Sequence, residues 1–178
     1  MQTTSKLLEN LQQYDLRMLL WCAHSPYRHN LVFLARQISR SGDGLLQLLL
    51  PVSLLILQFE NSLLFVQIVT FAFLIERPVY WVLKNTLKRQ RPPEAIPSFE
   101  AVITASDKFS FPSGHTAAAF LLATLCLIVY GAAGLILLPW AICVGISRVV
   151  LGVHFPTDII AGALLGSSIA FLASSLFI

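Results

Sequence analysis

From Phe109 to Ile178 the chain runs for 70 residues with only two charged side chains, Arg148 and Asp158. A soluble domain cannot be built from such material, because even at about 150 residues a globular fold still exposes roughly 30% of its unfolded surface. A helical bundle crossing a bilayer can. The rest of the chain agrees: 56% of its 178 residues are hydrophobic and 12% are charged, against roughly a quarter charged in an ordinary soluble domain. This balance excludes a disordered chain, and a net charge of +3 is too slight to point to nucleic acid or another polyanion as a partner. Cys22, Cys126 and Cys143 stand singly in apolar surroundings and read as packing residues. Glu9, Gln12, Gln13, Asp15 and Arg17 interrupt the first twenty residues, so no cleavable signal peptide is expected.

Residues 5 to 23 carry Leu7, Leu8, Leu11, Leu16, Leu19 and Leu20 at helical spacing with a polar face. Residues 28 to 40 repeat the pattern, with Arg28, Arg36 and Arg40 placed to snorkel toward headgroups. Both are expected as interfacial helices over residues 1–42. A turn at Ser39 to Gly44 then leads into a bundle over 44–178. Its spans, at about 20 residues each, fall near 44–59, 62–83, 114–130, 133–149 and 156–177. The expected fold is therefore an all-α, single-domain membrane bundle of about five spans. The one long polar segment, Lys84 to Ser113, contains Pro92, Pro93 and Pro97 and is not a continuous helix. In this layout the end of span two, the start of span three, the end of span four and the start of span five share one face of the membrane. Polar residues gathered there from separate helices are what a site between helices requires.

Three groups of residues meet that requirement. Lys84 and Arg91 lie about two helical turns apart, ahead of Pro92, and read either as a pair of heads in one pocket or as a basic flank together with Lys88 and Arg89. Ser113 is a natural N-cap ahead of the apolar run from Ala117, Gly114 allows close backbone approach, and the helix N-terminus offers an anion seat beside His115. Arg148, His154 and Asp158 form the third group. A charge in apolar surroundings needs a partner, and Asp158, one turn beyond His154, is placed to hold the imidazole Nδ1 proton and free the other nitrogen as a nucleophile. An Arg148 to Asp158 ion pair is the competing account.

Together the segments resemble the type 2 phosphatidic acid phosphatase and vanadium haloperoxidase superfamily. Its pattern is Lys-x6-Arg-Pro, Pro-Ser-Gly-His and Ser-Arg-x5-His-x3-Asp, which stands here as Lys84 to Arg91-Pro92, Pro112 to His115, and Ser147-Arg148 to His154 and Asp158. The resemblance implies a phosphohistidine mechanism in which His154 attacks phosphorus, Asp158 supports it and His115 protonates the leaving oxygen. Lys84, Arg91, Arg148, Ser113 and Gly114 would bind the phosphoryl group, with no metal or other cofactor. It also implies a lipid phosphate or polyprenyl pyrophosphate as substrate, with phosphatidic acid and phosphatidylglycerophosphate among the options. A vanadate-dependent haloperoxidase is disfavoured because those enzymes are soluble, and a non-catalytic lipid-binding or transport protein because nucleophile, acid and carboxylate are all present. Lys88, Arg89, Lys108 and the N-terminal arginines favour a cytoplasmic face for the site, whereas the resemblance implies the periplasmic face of a bacterial inner membrane. The periplasmic face is the expectation adopted here.

Overall fold

The structure, a computed structural model, describes residues 2–178 in backbone and residues 6 and 9–178 in side chain. Among the described residues all regular structure is helical. Helices α1 (Gln2–Ala23) and α2 (Arg28–Ser41) precede α3 (Leu45–Ile56) and α4 (Ser62–Leu87), and a single turn, α5 (Pro92–Ala95), follows. A loop then leads to α6 (Gly114–Tyr130), a 3-10 segment at Gly131–Ile136, α7 (Leu137–Val150) and α8 (Pro156–Ser174). Three stretches are long and apolar enough to cross a membrane, Ser62–Ala95, Gly114–Val150 and Pro156–Ser174, and Leu45–Ile56 is a shorter apolar helix. The middle stretch folds back on itself: Thr116 of α6 lies against Gly145 of α7, and Cys126 lies against Gly134. The 3-10 segment is the return.

Lipid is as apolar as leucine, so helices within it associate through close packing rather than through the hydrophobic effect. The α6–α8 contact, the most extensive in the fold, shows how. Gly162 lies against the carbonyl oxygen of Ser113, and Gly166 against that of Ala117. The constant offset makes α6 and α8 parallel, with α7 antiparallel between them in sequence. The N-termini of α6 and α8 and the C-terminus of α7 therefore share one end of the bundle, as the segment order requires. On its other face α8 exposes Ile160, Leu164, Phe171 and Leu172, a surface that suits acyl chains and not water.

A Cβ at position 166 would stand 2.1 Å from the Ala117 oxygen, a clash only backbone movement relieves. Gly166→Ala is expected to destabilise the bundle by about 1–3 kcal/mol. Leu164→Ala, on the lipid face at 65% exposure, should change stability far less. Thermal unfolding of both variants in one detergent checks this, and equal midpoints would contradict the packing account.

Candidate active site

α4 ends at Lys88, whose φ of 47° turns the chain, and Arg91 caps the short α5. Lys84 and Arg91 are both buried, and they meet on one carboxylate, Asp107. Lys84 Nζ lies 2.6 Å from Asp107 Oδ2, and Arg91 Nη2 pairs with Oδ1. The Tyr80 hydroxyl donates to Oδ2 at 2.5 Å and accepts from Lys84 Nζ at 2.5 Å. Burial by itself raises the Asp107 pKa, but hydrogen bonds from Lys84 and Tyr80 and the charges of Lys84 and Arg91 outweigh it and hold the carboxyl at about 2. The two basic residues are thus a preformed anion clamp with an internal carboxylate seated in it.

Ser113 caps α6 in an extended conformation and makes no side-chain cap bond, leaving the first-turn amides available to an anion. Its own N–H donates to the Asp158 carbonyl at 3.1 Å, which ties the second group to the third. A Cβ at Gly114 would come within 2.9 Å of the Tyr80 ring, so the close approach that glycine permits here is to that ring. His115 Nε2 lies 2.8 Å from Asp43 Oδ1, in the turn after α2.

His154 is 2% exposed. Burial, with Arg91 and Arg148 acting in the same direction and Asp158 opposing, lowers its pKa to about 4, so the imidazole is neutral at pH 7. Its Nδ1 is 3.6 Å from Asp158 Oδ2, within ion-pair range but beyond a hydrogen bond. Asp158 Oδ2 instead accepts from Ser110 Oγ and from the Phe155 amide at 2.8 Å, and Ser110 Oγ lies 3.4 Å from His154 Nδ1. The expected direct hydrogen bond is therefore not formed, and Ser110, a loop residue without a periodic signal, stands between the two groups.

The Arg148 to Asp158 ion pair is not formed. Arg148 Nη1 donates to Ser39 Oγ at 2.5 Å, while Asp158 Oδ1 is held by Arg89 at 2.7 Å. Arg89 also binds Asp15 at 2.6 Å, and Asp15 accepts from the Thr157 amide at 2.9 Å. A legible signal for Asp15 existed: it sits between Leu11 and Leu19 at four-residue spacing, a carboxylate within an apolar stripe. Arg91 Nη1 reaches the Val153 carbonyl at 2.5 Å, next to His154. The predicted site residues therefore lie at one end of the bundle: Asp107 joins Lys84 to Arg91, Ser110 bridges His154 and Asp158, and Arg148 and His115 bond to Ser39 and Asp43.

Two cavities open on this cluster, of about 560 and 620 Å³, and both are bordered by Asp43, Ser106 and His115. Tyr80 and Asp107 line the first and separate it from buried Lys84. Among the described residues no group of three or more His, Cys, Asp and Glu is placed to hold a metal ion.

The sequence model of the family described as the PAP2 superfamily matches residues 56–177. The chain is 33% identical over 107 residues to the bacitracin transport permease protein BcrC of Bacillus licheniformis, covering 60% of this chain and 52% of that protein. It is 41% identical over 106 residues to phosphatidylglycerophosphatase B of Bacillus subtilis, covering 51% of this chain and 47% of the relative. The chain thus spans about half the length of these relatives. The crystal structure of a transmembrane PAP2-type phosphatidylglycerolphosphate phosphatase from Bacillus subtilis superposes with a TM-score of 0.72 at 26% identity, over 94% of this chain and 86% of that one.

Proposed function

The chain belongs to the PAP2 superfamily, and from that premise we propose that this integral membrane protein is a metal-independent phosphatase. Its substrate would be a lipid phosphate monoester or a lipid pyrophosphate. The observation that carries the reading is the meeting of four chain segments around a neutral buried imidazole. Arg91 binds the carbonyl beside His154, Ser113 binds the Asp158 carbonyl, and Arg148 and the α6 N-terminus stand at the same end.

In the proposed reaction His154 Nε2, the nitrogen turned away from Ser110 and Asp158, attacks phosphorus. The P–N bond forms as the P–O bond to the lipid breaks, and the leaving oxygen takes its electron pair and a proton from His115. Water then attacks the phosphohistidine, His115 accepts its proton, and phosphate leaves as His154 is restored. Lys84, Arg91, Arg148, the Ser113 hydroxyl and the Gly114 amide stabilise the phosphoryl oxygens. Phosphoryl transfer asks chiefly for position and charge, and three cations with a helix N-terminus supply both.

The crossings proposed are α3, α4, α6, α7 and α8, with α1 and α2 at the interface, all in one domain over residues 1–178. The site is proposed to face the periplasm of a bacterial inner membrane. Lys108→Cys, in a background with the three native cysteines replaced by Ala, would then react with a membrane-impermeant maleimide in intact cells; labelling only after lysis reverses the orientation.

The relative named as a transport permease favours a second reading, a lipid carrier without chemistry. Phosphate release in detergent from phosphatidic acid, phosphatidylglycerophosphate and farnesyl pyrophosphate separates the two. Release lost on replacing His154 supports the enzyme, and no release from any substrate supports the carrier.

A further inference from the structure

Arg36, Ser39, Arg40 and Asp43 stand at positions i, i+3, i+4 and i+7 and form a single stripe on α2 and its C-terminal turn. Their spacing predicts headgroup contact for Arg36 and Arg40, and both are exposed, but they also border a cavity at the candidate active site. Ser39 is buried against the bundle and accepts from Arg148, so the stripe turns toward the candidate active site. Arg36 Nη2 donates to the Val102 carbonyl at 3.2 Å, anchoring it to the loop over the site.

The cavity of about 620 Å³ lies under this stripe, bordered by Arg36, Arg40, Arg148, Thr104, Ser106 and His115. Its size falls within the range of about 300–1,000 Å³ usual for ligand sites. Three guanidinium groups face one carboxylate there, and that carboxylate, Asp43, already accepts from His115. Arg148 is 5% exposed, and among the described residues its Nε is a buried donor without an acceptor. Such a donor is costly unless a ligand oxygen meets it.

The neighbouring cavity, across His115, has a different lining. Leu48 of α3 with Val69 and Phe73 of α4 give it an apolar wall that continues between helices, as an acyl or prenyl chain needs. His115 stands at the fork. A substrate with one phosphate fills the clamp, the Arg148 side of the cationic branch and the apolar branch, and leaves Arg36 and Arg40 without an anion. A substrate with a second phosphate near the broken bond gives them one.

We propose that Arg36 and Arg40 form a subsite for a second phosphate, so that the preferred substrate is a lipid carrying two. The second phosphate is either the inner half of a pyrophosphate or a phosphodiester beside the terminal monoester. This inference rests on the phosphatase reading and deepens it.

The test compares wild type with an Arg36→Gln/Arg40→Gln double variant on two substrate pairs: farnesyl pyrophosphate against farnesyl phosphate, and phosphatidylglycerophosphate against phosphatidic acid. The kcat/KM ratio of the two-phosphate over the one-phosphate member is expected to fall about tenfold or more in at least one pair, mainly through KM. The pair that responds identifies which two-phosphate chemistry the subsite takes. An Arg36→Lys/Arg40→Lys variant should recover part of the loss. Ratios unchanged within about twofold in both pairs overturn the subsite and leave the arginines to headgroup contact. Calorimetric binding of inorganic pyrophosphate and phosphate reads the subsite without turnover. Loss of the preference for pyrophosphate in the double variant supports it even if no substrate is hydrolysed, an outcome that would sink only the phosphatase reading. No preference in wild type overturns it.

Discussion

Replacing His154 with asparagine is expected to lower phosphate release by about four orders of magnitude or more, the scale seen when a nucleophile is removed from a site that keeps its electrostatic machinery. Asparagine retains a polar group opposite Ser110 and Asp158, so the fold should survive, and a cooperative thermal transition in the same detergent verifies that. Residual turnover within about a hundredfold of wild type would remove His154 as the nucleophile, since a supporting group contributes on that scale. The pH dependence gives a second check. Burial holds the native imidazole pKa at about 4, against the ordinary histidine value of 6.5 in the unfolded chain. Between these values the unfolded chain binds the additional proton, so the native state loses stability as pH falls through that window and is fully favoured above it. The stability of wild type relative to His154→Asn should therefore decline from about pH 6.5 toward 4. A difference that is flat or grows on acidification would contradict a buried neutral imidazole.

The parts of this site that could be read from the sequence are those fixed by order and spacing along helices. Once α4, α6, α7 and α8 are placed as successive apolar segments, Lys84, His115, Arg148 and Asp158 must fall at one end, and the Ser113–Gly162 and Ala117–Gly166 contacts bear out that direction. Periodicity says which face of a helix is polar but not what the face meets. Arg36 and Arg40 accordingly read as headgroup contacts, and only the packing of α2 on α7 shows that these exposed side chains also border a cavity with Arg148. Loop residues escape for a related reason. Asp107 and Ser110 lie in a segment without period, and their roles come from pairings with Lys84 and Asp158, 23 and 48 positions away, which no local signal encodes. Even the well-spaced His154 and Asp158 illustrate the limit, because four-residue spacing brings them near while the Phe155 amide and Ser110 decide where the carboxylate points.

Asp107 carries the other large expectation. Its carboxylate occupies the clamp of Lys84 and Arg91 with two oxygens set as a phosphoryl group would set them, so an incoming phosphate must displace it or be repelled. Displacement has somewhere to go: the side chain is 35% exposed and borders the 560 Å³ cavity. Asp107→Asn removes the charge while leaving one carbonyl oxygen for Lys84, and it is expected to lower the orthovanadate concentration giving half inhibition by about tenfold or more, the value of a charge-assisted hydrogen bond no longer broken. The opposite arrangement makes an opposite prediction. If Asp107 served to hold Lys84 and Arg91 in position, the asparagine variant would loosen the clamp and vanadate would bind more weakly. The sign of the change therefore decides between a resident anion that competes and a scaffold that assists. Competition is the expected result because the two bases keep other anchors, Tyr80 for Lys84 and the carbonyls of Val153 and residue 107 for Arg91, which hold the clamp when the carboxylate leaves.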